Sequence, residues 1–345
     1  MKKLWVVVVL LALMTSLFTG CAKDDQLVLN VYNWGDYIDE DIFDEFEEET
    51  GIKINYETYA TNEEMYTKIK KGGTKYDIAI PSDYMIEKMI KEDLLEPIDL
   101  SKIPNYSNID ERFKNLAFDP ENKYSVPYFW GTVGIIYNTK LITEPVDSWN
   151  VLWDDKYAGQ FTMIDSQRDS IMVALKKLGY SMNTKDLDQL EEAKNILVEQ
   201  KPNVLAYVGD NVKDMLISEE AAMAVVWSGE AGAVIQEYDY FAYALPKEGS
   251  NLWFDNVVIP KGSKNVDAAH QFIDFLCRGD IGFKNADYVG YATCNTETMK
   301  LLDPALMGTT YAYPEDALLE NFEIFSDPGD FITEYDRIWT EIKAN

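Results

Sequence analysis

The chain is 345 residues long and carries 60 acidic against 31 basic residues, a net charge of −29. A surface that acidic repels nucleic acid and anionic lipid and attracts cations, and the length is too great for one ordinary core and about right for two lobes. One histidine and three cysteines exclude a disulfide scaffold and leave little for metal chemistry.

Residues 1–20 read as a leader: Lys2 and Lys3, an apolar run over 4–14, and a short approach to Cys21. The Gly20-Cys21 junction resembles the bacterial lipoprotein signal, with Phe18 where that signal usually has Leu. On this reading Cys21 is the lipidated N-terminus, residues 21–26 are a tether, and the chain is anchored outside the cytoplasm through lipid alone. Cys277 and Cys294 remain, as a bridge or, preferred here, as two independent buried thiols. His270 falls in a predicted helix over 266–277 with no Cys or His at ligand spacing, so no metal is expected.

From residue 27 the pattern alternates strand, turn and helix, which predicts an α/β domain with a largely parallel sheet. Strands are predicted at 27–33, 52–56 and 76–80, and helices at 39–50, 62–71 and from Tyr84 to about residue 91. In such sheets ligands collect beyond the carboxyl ends of strands. That rule selects Trp34, Asp36 and Tyr37 after the first strand, and Ser82 and Tyr84 after the third.

An irregular, Pro-punctuated stretch over 94–127 precedes a long extended run at 128–137, read as a crossing between lobes that Gly131 and Gly134 allow to bend. A second α/β unit follows. A strand at 161–164 ends at Asp165-Ser166-Gln167-Arg168-Asp169, with helices at 169–178 and 186–200. A strand at 204–208 comes next, then one at 221–226 that stops at Trp227-Ser228-Gly229-Glu230. The chain returns through strands at 241–245 and 253–259, a helix at 266–278, the segment around Tyr291, and a last helix at about 330–343.

Alternation along the strand at 253–259 puts Trp253 and Asp255 on one side. An indole face and a carboxylate aimed one way suit an organic ammonium, although a core Trp beside a solvated Asp fits the same spacing. The acids Asp36, Asp169, Glu230 and Asp255 interleave with the aromatics Trp34, Tyr37, Tyr84, Trp227, Trp253 and Tyr291. An alkyl chain with an amine at each end needs that interleaving. No phosphate loop, Gly-x-Ser-x-Gly elbow, His-Glu-x-x-His or Cys-x-x-Cys is present. The enzymatic alternative is a glycoside hydrolase built on a carboxylate pair. No catalytic residue or cofactor is otherwise expected.

Tyr32-Asn33-Trp34-Gly35-Asp36-Tyr37, Glu49-Thr50-Gly51-Ile52-Lys53, Tyr76-Asp77-Ile78-Ala79-Ile80-Pro81-Ser82, Leu175-Lys176-Lys177-Leu178-Gly179-Tyr180 and Trp253-Phe254-Asp255 resemble the spermidine/putrescine-binding proteins of bacterial ABC importers. The resemblance implies the two-lobed, type II periplasmic-binding-protein fold, each lobe a mixed, mostly parallel sheet flanked by helices and joined by crossing strands. Lobe 1 is then 27–131 plus 253–300, and lobe 2 is 132–252 plus 301–345. It further implies a polyamine ligand, a membrane permease with its ATPase as partners, and no nucleic acid. Trp34, Tyr37, Ser82, Tyr84, Asp169, Trp227, Trp253, Asp255 and Tyr291 match the family's ligand-contacting positions. Spermidine-type members carry Asp where Ser166 stands, Gln where Phe325 stands and Glu where Asp36 stands. There, and at Glu230, the chain is more similar to putrescine-type members, which favours putrescine slightly over spermidine. A polyamine-sensing or adhesin lipoprotein is the remaining alternative.

Overall fold

The computed structural model describes residues 26–344 apart from Thr74 and Asp210, so the leader and Cys21 lie outside it. β1 (Val28–Trp34) and β2 (Lys53–Tyr59) pair in parallel from Val28↔Lys53 to Trp34↔Tyr59. Between them α1 (Asp41–Thr50) buries Ile42 and Phe46, one turn apart, and stops at Gly51, whose φ of 74° is the left-handed turn that glycine takes without strain. Thr61 caps α2 (Asn62–Lys71) by accepting from the Glu64 N–H.

The predicted strand at 76–80 contracts to β3 (Ile78–Ala79) because its flanks are committed elsewhere. Tyr76 donates to Glu57 at 2.5 Å, Asp77 accepts from the Asn30 N–H at 2.9 Å, and the Ile80 carbonyl accepts from Trp34 Nε1 at 2.8 Å and Tyr59 Oη at 2.6 Å. α3 (Asp83–Lys91) starts at once.

β4 (Ser125–Asn138) is buried throughout except at Tyr137. The second unit comprises β5 (Phe161–Ile164), α4 (Gln167–Lys177), α5 (Leu187–Gln200), β6 (Val204–Val208), α6 (Val212–Ile217), β7 (Met223–Trp227), α7 (Ser228–Glu237) and β8 (Phe241–Ala244). The chain then returns through β9 (Leu252–Val258), α8 (Val266–Leu276), α9 (Gly279–Val289), β10 (Ala292–Thr293), α10 (Thr296–Met299) and α11 (Ile332–Ala344).

The strands line up as β2-β1-β3-β9-β4-β7-β5-β6, with β8 and β10 also on β4. Outer pairs are parallel, as βαβ connections require, whereas β9 and β4 run antiparallel to their neighbours. β4 changes partner midway: Thr132 is opposite Leu252, and the next residue, Val133, is opposite Trp227. Helix α4 is buried from Arg168 to Lys176, because the sheet lies on one side and α5 and α11 cover the other. Charged side chains of α5 bind α11, where Arg337 pairs with Glu191 at 2.6 Å and Lys194 with Glu341 at 2.8 Å.

His270 is a structural residue: Nδ1 donates to the Val266 carbonyl at 2.7 Å and Nε2 accepts from the Asp99 N–H at 2.9 Å. Cys277 and Cys294 are free, buried thiols, and burial pushes both well up from the ordinary thiol range.

Gly249 joins the two ends of the second unit. Its carbonyl accepts from the fully buried Trp149 Nε1 at 2.9 Å, its φ is +90°, and a Cβ there would lie 1.9 Å from the Asn321 carbonyl oxygen. Gly249→Ala should therefore destabilise the fold by about 2 kcal/mol or more in urea unfolding. Gly73→Ala, where nothing lies within 4 Å of the added methyl, should stay within about 0.5 kcal/mol.

Candidate functional site

The alternation of β9 sorts its side chains as the sequence predicts. Phe254 turns to one face, its ring centre 5.9 Å from that of Phe113, and Trp253 and Asp255 turn to the other. Gly131 lies opposite Trp253, and a Cβ on it would come within 2.4 Å of the indole and 2.5 Å of Ser228 Oγ. Gly134 likewise leaves no room beside Tyr243, at 2.6 Å. Both glycines thus serve close packing; the bending expected of them has no counterpart in a positive φ at either position.

Asp255 is only 6% exposed. Tyr37 Oη donates to its Oδ2 at 2.8 Å and the Ser82 hydroxyl also bonds to the carboxylate, while Oδ1 accepts no hydrogen bond from the described residues. Burial pushes the Asp255 carboxyl up to about 6, and the two hydroxyls pull it back only in part. The Tyr37 ring packs edge-on against Tyr291, 5.6 Å between centres, and Tyr291 against Trp253 at 5.1 Å. The Trp253 Nε1–H is buried without an acceptor among the described residues.

Asn62 ties the next two residues together. Its Nδ2 donates to Ser82 Oγ and to Tyr84 Oη, both at 3.1 Å, and Tyr84 Oη donates on to Glu63 at 3.0 Å. Trp34 stands half-buried against Tyr59, 4.7 Å between ring centres. Asp83 pins α3 to β9 by accepting the Tyr84 N–H at 2.7 Å and the Phe254 N–H at 3.0 Å. Burial holds its carboxyl well above the usual range, with Asp255 nearby adding to the rise.

From the other half of the sheet comes Asp169, 5% exposed in the first turn of α4. Ser166 caps that helix and donates to Asp169 Oδ2 at 2.7 Å, and Asn251 Nδ2 donates to Oδ1 at 3.1 Å. Trp227, which ends β7, also bonds to Asp169, whose carboxyl burial nevertheless raises. Tyr291 lies on the first turn of α7, so close that a Cβ on Gly229 would be 2.3 Å from its ring.

Phe325 is buried, and its ring meets Tyr84 edge-on at 6.3 Å. Two residues on, the Asp327 N–H donates to Glu87 at 2.7 Å and its carboxylate pairs with Lys91 at 3.1 Å. These contacts fasten the 325–327 segment across the seam onto α3.

Two of the selected acids have different surroundings. Asp36 is exposed on a left-handed turn (φ 49°), and no hydrogen bond or ion pair among the described residues ties it to the cluster. Glu230 is ion-paired with Lys213 of α6 at 3.1 Å. The sequence reading missed Asn62, Asp83, Arg168 and Asn251. For Asp83 a signal existed, an acid in the first turn of a helix that follows directly on a strand. The others carry no local signal.

Two α/β halves sharing a strand, with buried acids and an indole beside it, are the architecture of a two-lobed solute receptor. The chain belongs to the bacterial extracellular solute-binding proteins, whose family model matches residues 41–304. Over 324 residues it is 38% identical to the spermidine/putrescine-binding periplasmic protein of Escherichia coli (strain K12), covering 93% of each chain. It is similar to a solved structure described as a candidate spermidine/putrescine ABC transporter from Listeria monocytogenes, at 45% identity and a TM-score of 0.88, covering 92% of this chain and 98% of that one. The spermidine/putrescine ABC transporter substrate-binding protein PotD of Streptococcus pneumoniae is similar at 44% identity and a TM-score of 0.82, covering 92% and 99%. The fold is thus the type II periplasmic-binding-protein fold, and the chain is an extracytoplasmic receptor rather than an enzyme. The hydrolase alternative finds no support. Among the described residues no helix is long and apolar enough to cross a membrane.

The raised carboxyl of Asp255 has a measurable consequence. The folded state holds its proton up to about pH 6, the unfolded state only to about 3.9, so its stabilising contribution is full below about pH 4 and is lost as pH rises through 6. Asp255→Asn, which mimics the protonated acid, should be more stable than the parent by about 2–3 kcal/mol at pH 7.5. Unfolding titrations should show that advantage vanish toward pH 4; an advantage constant with pH would contradict the assignment.

Proposed function

We propose that the chain binds a polyamine in the seam between its lobes and delivers it to an ABC permease and its ATPase. The observation that carries this is the buried Asp255 carboxylate, with Oδ1 unpartnered, beside the indole of Trp253. An ammonium group supplies what that carboxylate lacks, a positive charge and N–H donors. Asp169 adds a second buried carboxylate from the other half, its oxygens already hydrogen-bonded to Ser166 and Asn251, and the rings of Trp34, Tyr37, Tyr84, Trp227, Trp253 and Tyr291 suit the methylenes between. A desolvated cation–π contact is worth on the order of 2 kcal/mol and a hydrogen bond to a charged group about 1.5–3 kcal/mol. Two anchored ends therefore reach roughly micromolar affinity or better after association costs.

The names of the relatives, each a spermidine/putrescine protein, support the same ligand class. The change of partner on β4 between Thr132 and Val133 supports lobes of 27–131 plus 253–300 and 132–252 plus 301–345. Anchoring through a lipidated Cys21 rests on the leader alone.

Calorimetric titration of residues 22–345 with putrescine, spermidine, spermine and an amino acid tests the proposal. Heat is expected with at least one polyamine and none with the amino acid; no heat with any polyamine would defeat it. Asp255→Ala should weaken binding by about 2–5 kcal/mol, since the ammonium would be left buried and unpaired. An unchanged affinity would show that the ligand lies elsewhere.

A further inference from the structure

Asp83 is a buried acid to which the ligand reading gives no part. It opens α3 directly after Ser82 and is 1% exposed. One carboxyl oxygen accepts the Tyr84 N–H at 2.7 Å and the other the Phe254 N–H at 3.0 Å. Burial and the nearby Asp255 both disfavour its ionised form, and the two N–H groups and Arg168 offset this only in part. An acid is therefore a costly residue to keep here.

Its place in the sheet supplies the reason. β9 runs antiparallel to β3, with Ala79 opposite Val258 and, past the end of β3, Ser82 opposite Asp255. The same register sets Asp83 opposite Phe254. The Asn256 N–H donates to the Pro81 carbonyl at 3.1 Å, so the two-residue repeat of an antiparallel ladder assigns the Phe254 N–H to the carbonyl of residue 83. That carbonyl belongs to the first turn of α3, where carbonyls point along the helix. The Asp83 side chain accepts in its stead. It also takes the Tyr84 N–H, one of the donors that a helix start leaves without an intrahelical partner. Asparagine, of the same size, has a single acceptor oxygen beside an NH2 donor, and serine has a single hydroxyl.

We infer that Asp83 is a positioning residue for the ligand: it completes the last rung between the β3 segment and β9, and so holds Trp253 and Asp255 in place against Ser82 and Tyr84. This rests on the polyamine reading above. Phe254 stands between Trp253 and Asp255 in the chain, and Asp83 between Ser82 and Tyr84, so the single bond from the Phe254 N–H to Asp83 couples both pairs. Without that rung the Ser82 hydroxyl loses its set distance to Asp255, and the unpartnered Oδ1 loses its orientation. Asp83 acts through these neighbours, its own oxygens being engaged by backbone.

The test pairs polyamine calorimetry with amide hydrogen exchange read by NMR, on the parent and on variants whose folding is checked by thermal melting. Asp83→Asn sets a donor against one of the two N–H groups. It should weaken putrescine and spermidine alike by about tenfold and speed exchange of the Phe254 amide by about tenfold or more, leaving the Val258 amide protected. Asp77→Asn is the control: Asp77 is equally buried and bonds to Asn30, Ser263 and Asn265, so this variant should change affinity by less than about threefold whatever it does to stability. Should Asp83→Asn fail to fold, Asp83→Ser decides, with a loss of about threefold or more expected because one acceptor remains. Affinity unchanged in the deciding variant, an unchanged Phe254 exchange rate, or an equal loss in Asp77→Asn would overturn the inference and leave Asp83 a purely structural acid. In each of those cases the parent still binds and the polyamine reading stands; a parent that binds no polyamine removes that reading and the inference with it.

Discussion

A carboxylate kept out of water is the constraint on which this receptor turns. Asp255 has little exposure and one oxygen without a partner, and the groups around it moderate its charge without cancelling it. Tyr37 and Ser82 each bring a hydroxyl, worth less to an anion than a full positive charge would be. Asp83, buried alongside, is itself held well above the usual carboxylate range by burial, with Asp255 adding to the rise. The protein thus holds in its fold an electrostatic deficit that the proposed cationic ligand would relieve. On that proposal the interaction gained on binding includes the removal of a penalty already present.

Holding a side chain in so unfavourable a place requires a stiff support, and β9 provides it. Its ladder with β4, the bond from the Phe254 N–H to Asp83 and the bridge between Ser82 and Asp255 fix it on both edges. Because β4 pairs with β9 over its first half and with β7 and β8 over its second, one strand sets the distance between the Asp255 side and the Asp169 side. Gly131 and Gly229 bring the layers together at the seam, letting Trp253 lie on β4 and Tyr291 on α7. A methyl at either position would displace an aromatic ring rather than merely strain the backbone.

Much of this was legible in the sequence because it follows from period and punctuation. Strand alternation placed Trp253 and Asp255 on one face, and the strand-end rule selected Trp34, Tyr37, Ser82 and Tyr84, which do follow β1 and β3 in the structure. The same rule could not tell a buried acid from a solvated one. Asp36 and Glu230 sit at strand ends like Asp169, yet one is exposed on a left-handed turn and the other is held by Lys213. Whether an acid is enclosed depends on what packs over it, and that comes from distant segments. Asn62, Asn251 and Arg168 were missed for the same reason: their partners lie 20, 82 and 15 or more residues away. The contraction of the third strand has a similar origin, since Trp34 and Tyr59 take the Ile80 carbonyl that a longer ladder would have used.

The segment over 321–327 shows how far such coupling reaches. It has no regular structure, but Lys176 binds the Asn321 carbonyl and Glu323, Asn183 Nδ2 donates to the Ile324 carbonyl at 2.8 Å, and Leu252 donates to the Glu323 carbonyl at 2.8 Å. Those bonds lock a stretch near the chain's end against α4 and the start of β9. It then carries Phe325 to Tyr84 and Asp327 to Lys91 on α3. Phe325 is therefore placed by residues of α4, β9 and α3 together. A side chain positioned by three separate elements depends on how they pack against one another, and it is that packing which sets the Phe325 ring edge-on to Tyr84.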